Sequence, residues 1–458
     1  MEFHVSLTGR GDLAAQIYRQ LRDAILDGRL REGERLPPTR ELSRSLDVAR
    51  NTVAVAYDRL MADGFLVGRA GAGTFVCAPA RVETGRRRAP QGSGVQPRAV
   101  WRSIPPMAPR PTPAFDFRVG MPDVRLFPLE TWRRLVTREL RVTAAGYLPP
   151  EGHEGLRDAI ARYFGIARSV RAAPDDVIVT QGAQQALDLI GRVLIEPGDC
   201  VAVEEPGYPP ARRLFHSLGA RVAGVPVDAE GLDVTAIPRA ARLVYVTPSH
   251  QFPLGTPMSL ARRTALLAWA EGRDAVVIED DYDSEFRFED RPLEPLQSLD
   301  RSGRVLYVGS FSKTLAPMLR LGFLVAPASL QPALRTAKRL TDWHSEATAQ
   351  AALARFIDEG LLARHVRKAT RVYAARHARI AAFLGDRLDL VPSAAGLHLC
   401  AKGEADLTAA PEVAVEDLTT YYAGAPERGV VVGYGGISLE HIDEGLRRLF
   451  ARGNRGPR

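Results

Sequence analysis

Two short apolar runs near the middle of the chain are each followed by polar and ionisable residues, and this repeated arrangement constrains the fold strongly. The first run is Ala275 to Ile278, and it is followed by Glu279, Asp280, Asp281, Tyr282 and Asp283. The second run is Val305 to Val308, and it is followed by Gly309, Ser310, Phe311, Ser312 and Lys313, then by Arg320 and a third apolar run, Leu321 to Val325. Short apolar runs of this kind are typical of buried strands. Because ligands bind beyond the carboxyl ends of parallel strands, the sequence predicts an α/β fold with a functional site here.

Lys313 narrows the chemistry of this predicted site. The chain contains four lysines, at positions 313, 338, 368 and 402, against 57 arginines. An arginine stays protonated and cannot form a Schiff base, whereas a lysine amine can. Pyridoxal phosphate is favoured by the combination of groups. A lysine amine can bond its aldehyde, a carboxylate can pair with its pyridinium nitrogen, and hydroxyls with an arginine can hold its phosphate. The alternatives are that Asp280 to Asp283 is a solvated turn or a magnesium cluster, and that Lys313 only starts a helix.

These motifs resemble those of the fold-type I aminotransferases. The resemblance implies that Lys313 is the catalytic lysine that forms the internal aldimine, that Asp280 pairs with the pyridine nitrogen and that Tyr282 faces the cofactor's 3-hydroxyl. It also implies that Ser310 and Arg320 hold the phosphate, with Ser312 among the cofactor-binding residues.

Positive charge is concentrated at the amino-terminal end of the chain. The 458 residues carry a formal net charge of +7, and residues 1 to 115 hold the whole surplus, with 18 arginines and 11 acidic residues. Because neutralising phosphates needs local positive charge, this distribution predicts a polyanion-binding module attached to a neutral, separately folded body. The alternative is a basic segment that only aids solubility.

Cysteine content and hydropathy bear on the compartment. Cys77, Cys200 and Cys400 are far apart and form no Cys-x-x-Cys pair, so neither a disulfide framework nor a zinc site is indicated, and no metal is expected. No signal-like segment and no run of membrane-spanning length is recognisable. We therefore expect a soluble protein of the reducing cytoplasm with no membrane partner.

Residues 1 to 78 show the pattern of three helices followed by a hairpin. Leu13, Ile17, Leu21 and Ile25 lie on one face of a first helix; Thr39 can cap a second helix through Leu46; and a third runs from Arg50 to Asp63. Apolar runs at 65–67 and 74–76, joined by a glycine-rich turn, predict a β-hairpin.

This order of elements, with Leu36-Pro37-Pro38-Thr39-Arg40-Glu41-Leu42, resembles the winged helix-turn-helix DNA-binding domain of the GntR family. Pro38 departs from the serine that is frequent there. The resemblance implies that double-stranded DNA is contacted by Arg40, Arg50, Asn51 and Thr52, and by Arg69 and Gly71 in the wing. The alternative is a three-helix interaction module with solvated arginines.

Residues 79 to 115 are predicted to be a linker. They are rich in proline, show no apolar periodicity and contain the cluster Arg86, Arg87 and Arg88. Such a composition cannot bury enough apolar surface to offset the entropy lost on ordering. The sequence leaves open on which effector domain the winged helix packs.

Residues 116 to 458 continue the aminotransferase resemblance, with a large part at about 150–345 and a small α+β part at about 346–458. The implied sheet is mostly parallel with helices on both faces. Gly182, Ala183 and Gln184 open a helix whose free amides suit a phosphate. The resemblance further implies that Tyr208 stacks on the pyridine ring, with a loop aromatic as the alternative, and that Tyr147 reaches the phosphate across a homodimer.

Phe252 stands where the class usually has an asparagine. The loop His250-Gln251-Phe252-Pro253, together with the acidic motif at 279–286, is instead the pattern of the MocR or GabR-like regulators. Those proteins join a GntR-type winged helix to an aminotransferase-like domain.

The sequence thus predicts a regulator that binds pyridoxal phosphate and DNA and senses an amine effector or the cofactor itself. Residues 429–436, where aminotransferases place an arginine for the substrate carboxylate, contain none. The rival reading is a working aminotransferase with a tethered DNA-binding domain, and a third is a DNA-binding protein whose second domain is only a scaffold.

Overall fold

The structure is a computed structural model, and it describes residues 5–9, 11–77, 94–106, 113–141, 146–288, 294–404 and 410–451. The chain divides into two compact units, Met1–Gln96 and Pro97–Arg458. The division lies inside the predicted linker, whose cluster Arg86 to Arg88 is outside the described residues. No helix among the described residues is long and apolar enough to cross a bilayer.

The first unit is the predicted set of three helices and a hairpin. Its elements are α1 (Leu13–Leu26), α2 (Thr39–Ser45), α3 (Arg50–Ala62), β1 (Leu66–Arg69) and β2 (Gly73–Val76). The apolar faces of the helices meet in one core that contains Ile17, Leu21, Val53 and Leu60. The hairpin strands are antiparallel, with Arg69 opposite Gly73. The predicted capping by Thr39 is wrong: Thr39 is the first residue of α2.

The second unit is built on an eight-stranded mixed sheet. Its elements up to the last strand of this sheet are α4 (Ala99–Ser103), β3 (Phe115–Asp116), α5 (Leu129–Leu140), α6 (Glu154–Arg168), β4 (Val177–Thr180), α7 (Ala183–Leu194), β5 (Cys200–Glu205), α8 (Pro209–Ser217), β6 (Arg221–Asp228), β7 (Gly231–Leu232), β8 (Ala241–Val246), α9 (Leu260–Gly272), β9 (Val276–Asp281), α10 (Leu296–Leu299), β10 (Val305–Ser310) and β11 (Gly322–Val325). The strand order is β4-β11-β10-β9-β8-β5-β6-β7. The five strands from β10 to β6 are parallel, and β11 and β7 are antiparallel to their neighbours.

Helices cover both faces of this sheet, as predicted. Val177 and Val179 of β4 face a core that includes Leu156 of α6, whereas Ile178 between them faces a core that includes Leu187 of α7. Successive strand residues point to opposite faces, so a strand buried on both sides is apolar at every position.

The small part is a four-stranded antiparallel sheet that packs against the last two long helices of the chain, Leu361–Gly385 and Leu439–Phe450. The remaining elements are α11 (Gln331–Asp342), α12 (Ala347–Asp358), α13 (Leu361–Gly385), β12 (Asp389–Leu390), β13 (His398–Lys402), β14 (Val413–Ala414), β15 (Glu416–Asp417), β16 (Gly429–Gly433) and α14 (Leu439–Phe450), and the strand order is β12-β13-β16-β15.

Two features of the small part differ from the predicted division at residue 346. Leu353 and Phe356 of α12 belong to the core of the large part, together with Leu156 of α6. Phe117, far earlier in the chain, is buried in the core of the small part, and β3 pairs with β14. Both differences arise from contacts between residues that are distant in sequence.

Candidate cofactor and DNA sites

A cavity of about 640 Å³ opens where the strands of the large sheet end. Nine of the residues predicted to bind a cofactor line it, namely Lys313, Asp280, Tyr282, Ser310, Ser312, Arg320, Tyr208, Ala183 and Gln184. Gly182 precedes Ala183 at the cavity edge. The structure thus brings together side chains that lie up to 137 positions apart in the sequence, between Ala183 and Arg320.

Lys313 lies three residues after β10, and its amine is held by a backbone carbonyl. Its Nζ donates a hydrogen bond to the carbonyl oxygen of Gly120 at 2.6 Å. Gly120 has a φ of +78°, which favours glycine, and a Cβ added there would lie 2.8 Å from Nζ and displace the amine. Burial lowers the pKa of Lys313, against the opposing effect of Asp283 and Asp280. A lowered pKa increases the fraction of neutral amine, which is the form that attacks an aldehyde.

The acidic residues of β9 separate onto two faces of the sheet. Glu279 and Asp281 point to one face, where Arg263 Nη1 lies 3.8 Å from Glu279 and Arg168 Nη2 lies 3.2 Å from Asp281. Asp280, between them, points into the cavity. The sequence predicted that the strand ends before these carboxylates, but β9 includes all three, and its alternation decides which one faces the cavity.

Asp280 keeps one oxygen available. Its Oδ2 accepts a hydrogen bond from the hydroxyl of Tyr245 at 2.7 Å, and its Oδ1 is buried with no protein partner. Burial raises the pKa of Asp280 to about 7. A buried, unpartnered carboxylate oxygen is costly unless a donor fills the cavity, so Oδ1 fits the protonated nitrogen of a pyridine ring.

A cup of donors lies beside Lys313. Gly182, with φ +75°, precedes α7, and no side chain caps the amides of that helix. The guanidinium of Arg320 donates to the carbonyl of Gln181 at 2.8 Å and would lie 2.8 Å from any Cβ at Gly182. The Ser310 hydroxyl accepts from the amide of Ser312 at 3.1 Å, which leaves its own proton to donate. Free helix amides, a hydroxyl and a guanidinium suit a phosphate.

Aromatic side chains form the remaining wall. Phe252 makes edge contacts with Tyr208 and Tyr282, at 5.4 and 5.8 Å between ring centroids. The hydroxyl of Tyr282 lies 2.9 Å from the carbonyl oxygen of His250 and donates to it. Tyr282 therefore lines the cavity with its hydroxyl proton already engaged by protein, and its place facing the cofactor's 3-hydroxyl stays a prediction.

A buried histidine joins the large part to the small part beside this wall. His250 Nδ1 lies 3.1 Å from Asp283 Oδ1, and its Nε2 lies 3.1 Å from the hydroxyl of Ser393. His398 has its Nε2 3.1 Å from the carbonyl of Pro253. One ligand atom from each of His250, Asp283 and His398 falls within 4.8 Å of the others, but these hydrogen bonds occupy most of the ring nitrogens, so we still expect no metal here.

The sequence did not single out Tyr245 or Gly120. Tyr245 could have been predicted to lie near Asp280, because it is near the end of β8, the strand that pairs with β9. Gly120 lies before α5 and reaches Lys313 only in the folded chain. Residues 97–106 belong to the second unit, although the sequence predicted a linker there.

Tyr147 does not line the cavity of its own chain. It is 81% exposed and packs against Trp343, with ring centroids 5.3 Å apart. Trp343 is itself about half exposed.

The predicted DNA contacts lie on exposed parts of the first unit. Arg50 and Asn51 are exposed in the first turn of α3, Thr52 is half-buried beside them, and Arg40 is exposed on α2. Arg50 Nε donates to the hydroxyl of Thr39 at 3.4 Å, which links α3 to α2. In the hairpin, Gly71 has a φ of +72°, and the guanidinium of Arg69 lies 4.9 Å from the ring of Phe75.

These observations define a class of protein: an aminotransferase-like domain with a cavity that fits pyridoxal phosphate, joined to a winged helix-turn-helix unit. Residues 115–448 match the family of aminotransferases of class I and II, and residues 13–76 match the bacterial regulatory proteins of the gntR family. The cavity fits the cofactor because its orphaned Oδ1, its uncapped helix and its lysine correspond to the ring nitrogen, the phosphate and the aldehyde.

Two relatives that match nearly the whole of this chain are named as regulators. The chain is 39% identical to the probable rhizopine catabolism regulatory protein MocR of Rhizobium meliloti, over 95% of this chain and 92% of that protein. It is 33% identical to the pyridoxine biosynthesis transcriptional regulator PdxR of Corynebacterium glutamicum, over 96% and 94%. The chain therefore belongs to the MocR-like family of GntR-type transcriptional regulators with an aminotransferase-like domain.

Solved structures support the fold of the second unit. A kynurenine aminotransferase of Pyrococcus horikoshii superposes with a TM-score of 0.68 at 28% identity, covering 73% of this chain and 89% of that one. LysN of Thermus thermophilus, an α-aminoadipate aminotransferase solved with a phosphopyridoxyl-leucine, has a TM-score of 0.67 at 31% identity, covering 73% and 90%. The predicted fold class and family are confirmed, and the protein is a DNA-binding regulator whose aminotransferase-like domain binds pyridoxal phosphate and takes a small-molecule ligand.

Proposed function

We propose that the protein is a homodimer that holds pyridoxal phosphate covalently on Lys313 and changes its affinity for an operator when an amine, or the cofactor itself, occupies the cavity. The observation that carries this proposal is the convergence of Lys313, the orphaned Oδ1 of Asp280 and the uncapped start of α7 on one cavity. When bound, pyridoxal phosphate supplies an aldehyde that exchanges between primary amines.

Different residues of this chain hold different parts of pyridoxal phosphate. Lys313 provides the attacking amine, and Gly120 orients it. Asp280 would accept a hydrogen bond from the protonated ring nitrogen. Gly182, Ala183 and Gln184 offer the start of α7 to the phosphate, and Ser310, Ser312 and Arg320 complete that site. Tyr208 packs on the ring, and Tyr282 is held in the aromatic wall that contains Phe252.

Sensing is favoured over turnover by what one stretch of the small part lacks. Residues 429–436, the stretch in which the resemblance places an arginine for the substrate carboxylate, contain none, and Val431 within it is buried with Leu254 and is not among the residues that line the cavity. Arg428, before that strand, is exposed and paired with Glu404 at 2.6 Å. Without a bidentate clamp an α-amino acid is held less well and oriented less well, which reduces catalysis more than amine exchange.

A second copy of the chain would complete the site. Tyr147 and Trp343 form an exposed aromatic surface beside Gln181 and Gln185, because Asp342, next to Trp343, accepts hydrogen bonds from both glutamines. We propose that Tyr147 of one copy reaches the phosphate of the other.

The test of this proposal is borohydride reduction followed by peptide mapping, with Lys313→Ala as the variant and the exposed Lys368→Ala as its control. We expect a pyridoxyl group on Lys313 in the wild type and in Lys368→Ala, and none in Lys313→Ala. We also expect pyridoxal phosphate to change DNA affinity by about fivefold or more in the wild type only, which is a typical size for coupling between two sites. A pyridoxyl group on Lys338, Lys368 or Lys402, or an equal response of Lys313→Ala, would refute it.

A further inference from the structure

Residues 98–106 lie along α8 on the surface of the second unit. Arg98 Nη2 donates to the carbonyl oxygen of Ser217, the last residue of α8, at 3.3 Å. The helix α4 follows Arg98 and packs against α8. None of its residues is buried, and Trp101 is 51% exposed. This segment is therefore held at the surface with few contacts.

The other end of the segment reaches the cofactor cavity. Pro105 and Pro106 line the cavity together with Tyr208, Pro209 and Pro210, which open α8. The segment thus begins at the end of α8 and finishes at its start, a distance of about 13 Å for a nine-residue helix. We call residues 98–106 the strap.

The strap is also the start of the second unit, from which the chain runs back toward the winged helix that ends at Val76. The first compact unit closes at Gln96, and Arg98 is the first anchored side chain of the second. A change in the strap is therefore a change in the point from which the DNA-binding unit is tethered.

We propose that the strap is a movable wall of the cavity that reports the presence of the cofactor to the DNA-binding unit. This inference rests on the proposed function. A ring and phosphate in the cavity add contacts on the inner side of Pro105 and Pro106, and proline loses little entropy on being fixed there. Because few contacts of the protein hold the strap, a small number of contacts with a bound ring and phosphate can shift it between loose and docked states.

The test is amide hydrogen exchange of residues 99–104 in the full-length protein, with pyridoxal phosphate alone as the probe and its binding followed by absorbance. We expect exchange to slow by about threefold or more when the cofactor binds. Unchanged or faster exchange in protein that carries the cofactor would contradict the proposed role of the strap, but it would not contradict the proposed function. Failure of pyridoxal phosphate to bind at all overturns both.

A pair of variants separates the strap from general effects on the fold. Arg98→Gln removes the anchor on Ser217, and Arg102→Gln changes an exposed arginine one turn later. We expect Arg98→Gln to release the cofactor about threefold faster or more and to lose the cofactor-dependent protection of residues 99–104, with an unchanged melting temperature. Arg102→Gln should behave as the wild type. Equal behaviour of the two variants in both measurements overturns the proposal.

Discussion

The three carboxyl groups of β9 differ in their pKa values although they are adjacent. Burial raises the pKa of Glu279 and of Asp280 to about 7. Burial also acts on Asp281, but Arg168 and the hydroxyls that bond to it outweigh that effect and lower its pKa. Of the three, Glu279 and Asp281 form ion pairs with arginines, whereas Asp280 is acted on only at longer range by Lys313, and a carboxylate so placed is poised to receive a cationic ring nitrogen.

The raised pKa of Asp280 predicts how the cofactor-free protein responds to pH. The folded state binds this proton more tightly than the unfolded chain, where the pKa is about 4. The contribution of the group to stability is therefore fully present below pH 4 and is lost as the pH rises through 7. We expect Asp280→Asn to reduce the loss of unfolding free energy between pH 5 and pH 8 by about 1 to 3 kcal/mol. Urea unfolding of the cofactor-free proteins at both pH values measures this.

Two further results check that assignment. Asp281→Asn should lower stability at both pH values, because Arg168 is left buried without its partner. Asp280→Asn should also retain the cofactor about tenfold less well, because the protonated ring nitrogen loses a charged partner and keeps at best a neutral amide acceptor. A variant with the wild-type pH dependence and wild-type retention would contradict the role given to Asp280.

Arg50 and Arg69 should affect DNA binding in different ways. Arg50 opens α3, the position from which a recognition helix enters the major groove, so Arg50→Ala should cost about 1 to 3 kcal/mol on a selected duplex and less on random DNA. Arg69, in the wing, should contact the backbone, so Arg69→Ala should weaken both duplexes equally and flatten the salt dependence. Titrations on a duplex selected from a random pool and on its scrambled form decide this. Unchanged specific binding by Arg50→Ala would contradict the placement of α3.

At the scale of elements, α11 supports the phosphate cup from behind. Asp342, its last residue, accepts hydrogen bonds from Gln181 and Gln185, which flank Gly182. The fully buried amine of Lys338 donates to the same carboxylate at 2.6 Å. This network fixes the loop before α7, and neither its lysine nor its aspartate lines the cavity.

We therefore expect Asp342→Asn to weaken retention of pyridoxal phosphate by about tenfold, the scale of an orienting contact behind a ligand group. Lys338→Met should change it little, because Asp342 would keep both glutamines. Cofactor titration by absorbance compares the two, with urea unfolding as the check on stability. Equal losses in both variants would mean that the network acts on stability and not on the phosphate loop.

The elements also show what the sequence can and cannot predict. Apolar periodicity predicts the helices and hairpin of the first unit and the strands around Lys313. Each of these elements buries apolar side chains that recur at the spacing of a helix or a strand. The sequence did not predict that Asp280 faces the cavity, because the predicted strand ended at Ile278. If the strand had been extended to Asp281, the alternation of side chains between the two faces would have predicted it. Gly120, α12 and the strap depend on contacts between distant residues, which local patterns do not encode.

For the whole molecule, the central claim is that a cavity of the aminotransferase type serves regulation in this protein. Residues 429–436 contain no arginine and Phe252 stands where aminotransferases usually have an asparagine, whereas the parts that hold pyridoxal phosphate are present together. The cavity can therefore exchange one amine for another while lacking the clamp that would orient an α-amino acid for repeated turnover.

The most direct measurement is the amount of keto acid formed per protomer by the full-length, cofactor-loaded protein over a panel of common α-amino acids with a keto-acid acceptor. We predict about one equivalent or less, without sustained turnover. Steady formation of many equivalents at about 1 per second or faster, the range of working enzymes, would contradict the account and favour an active aminotransferase.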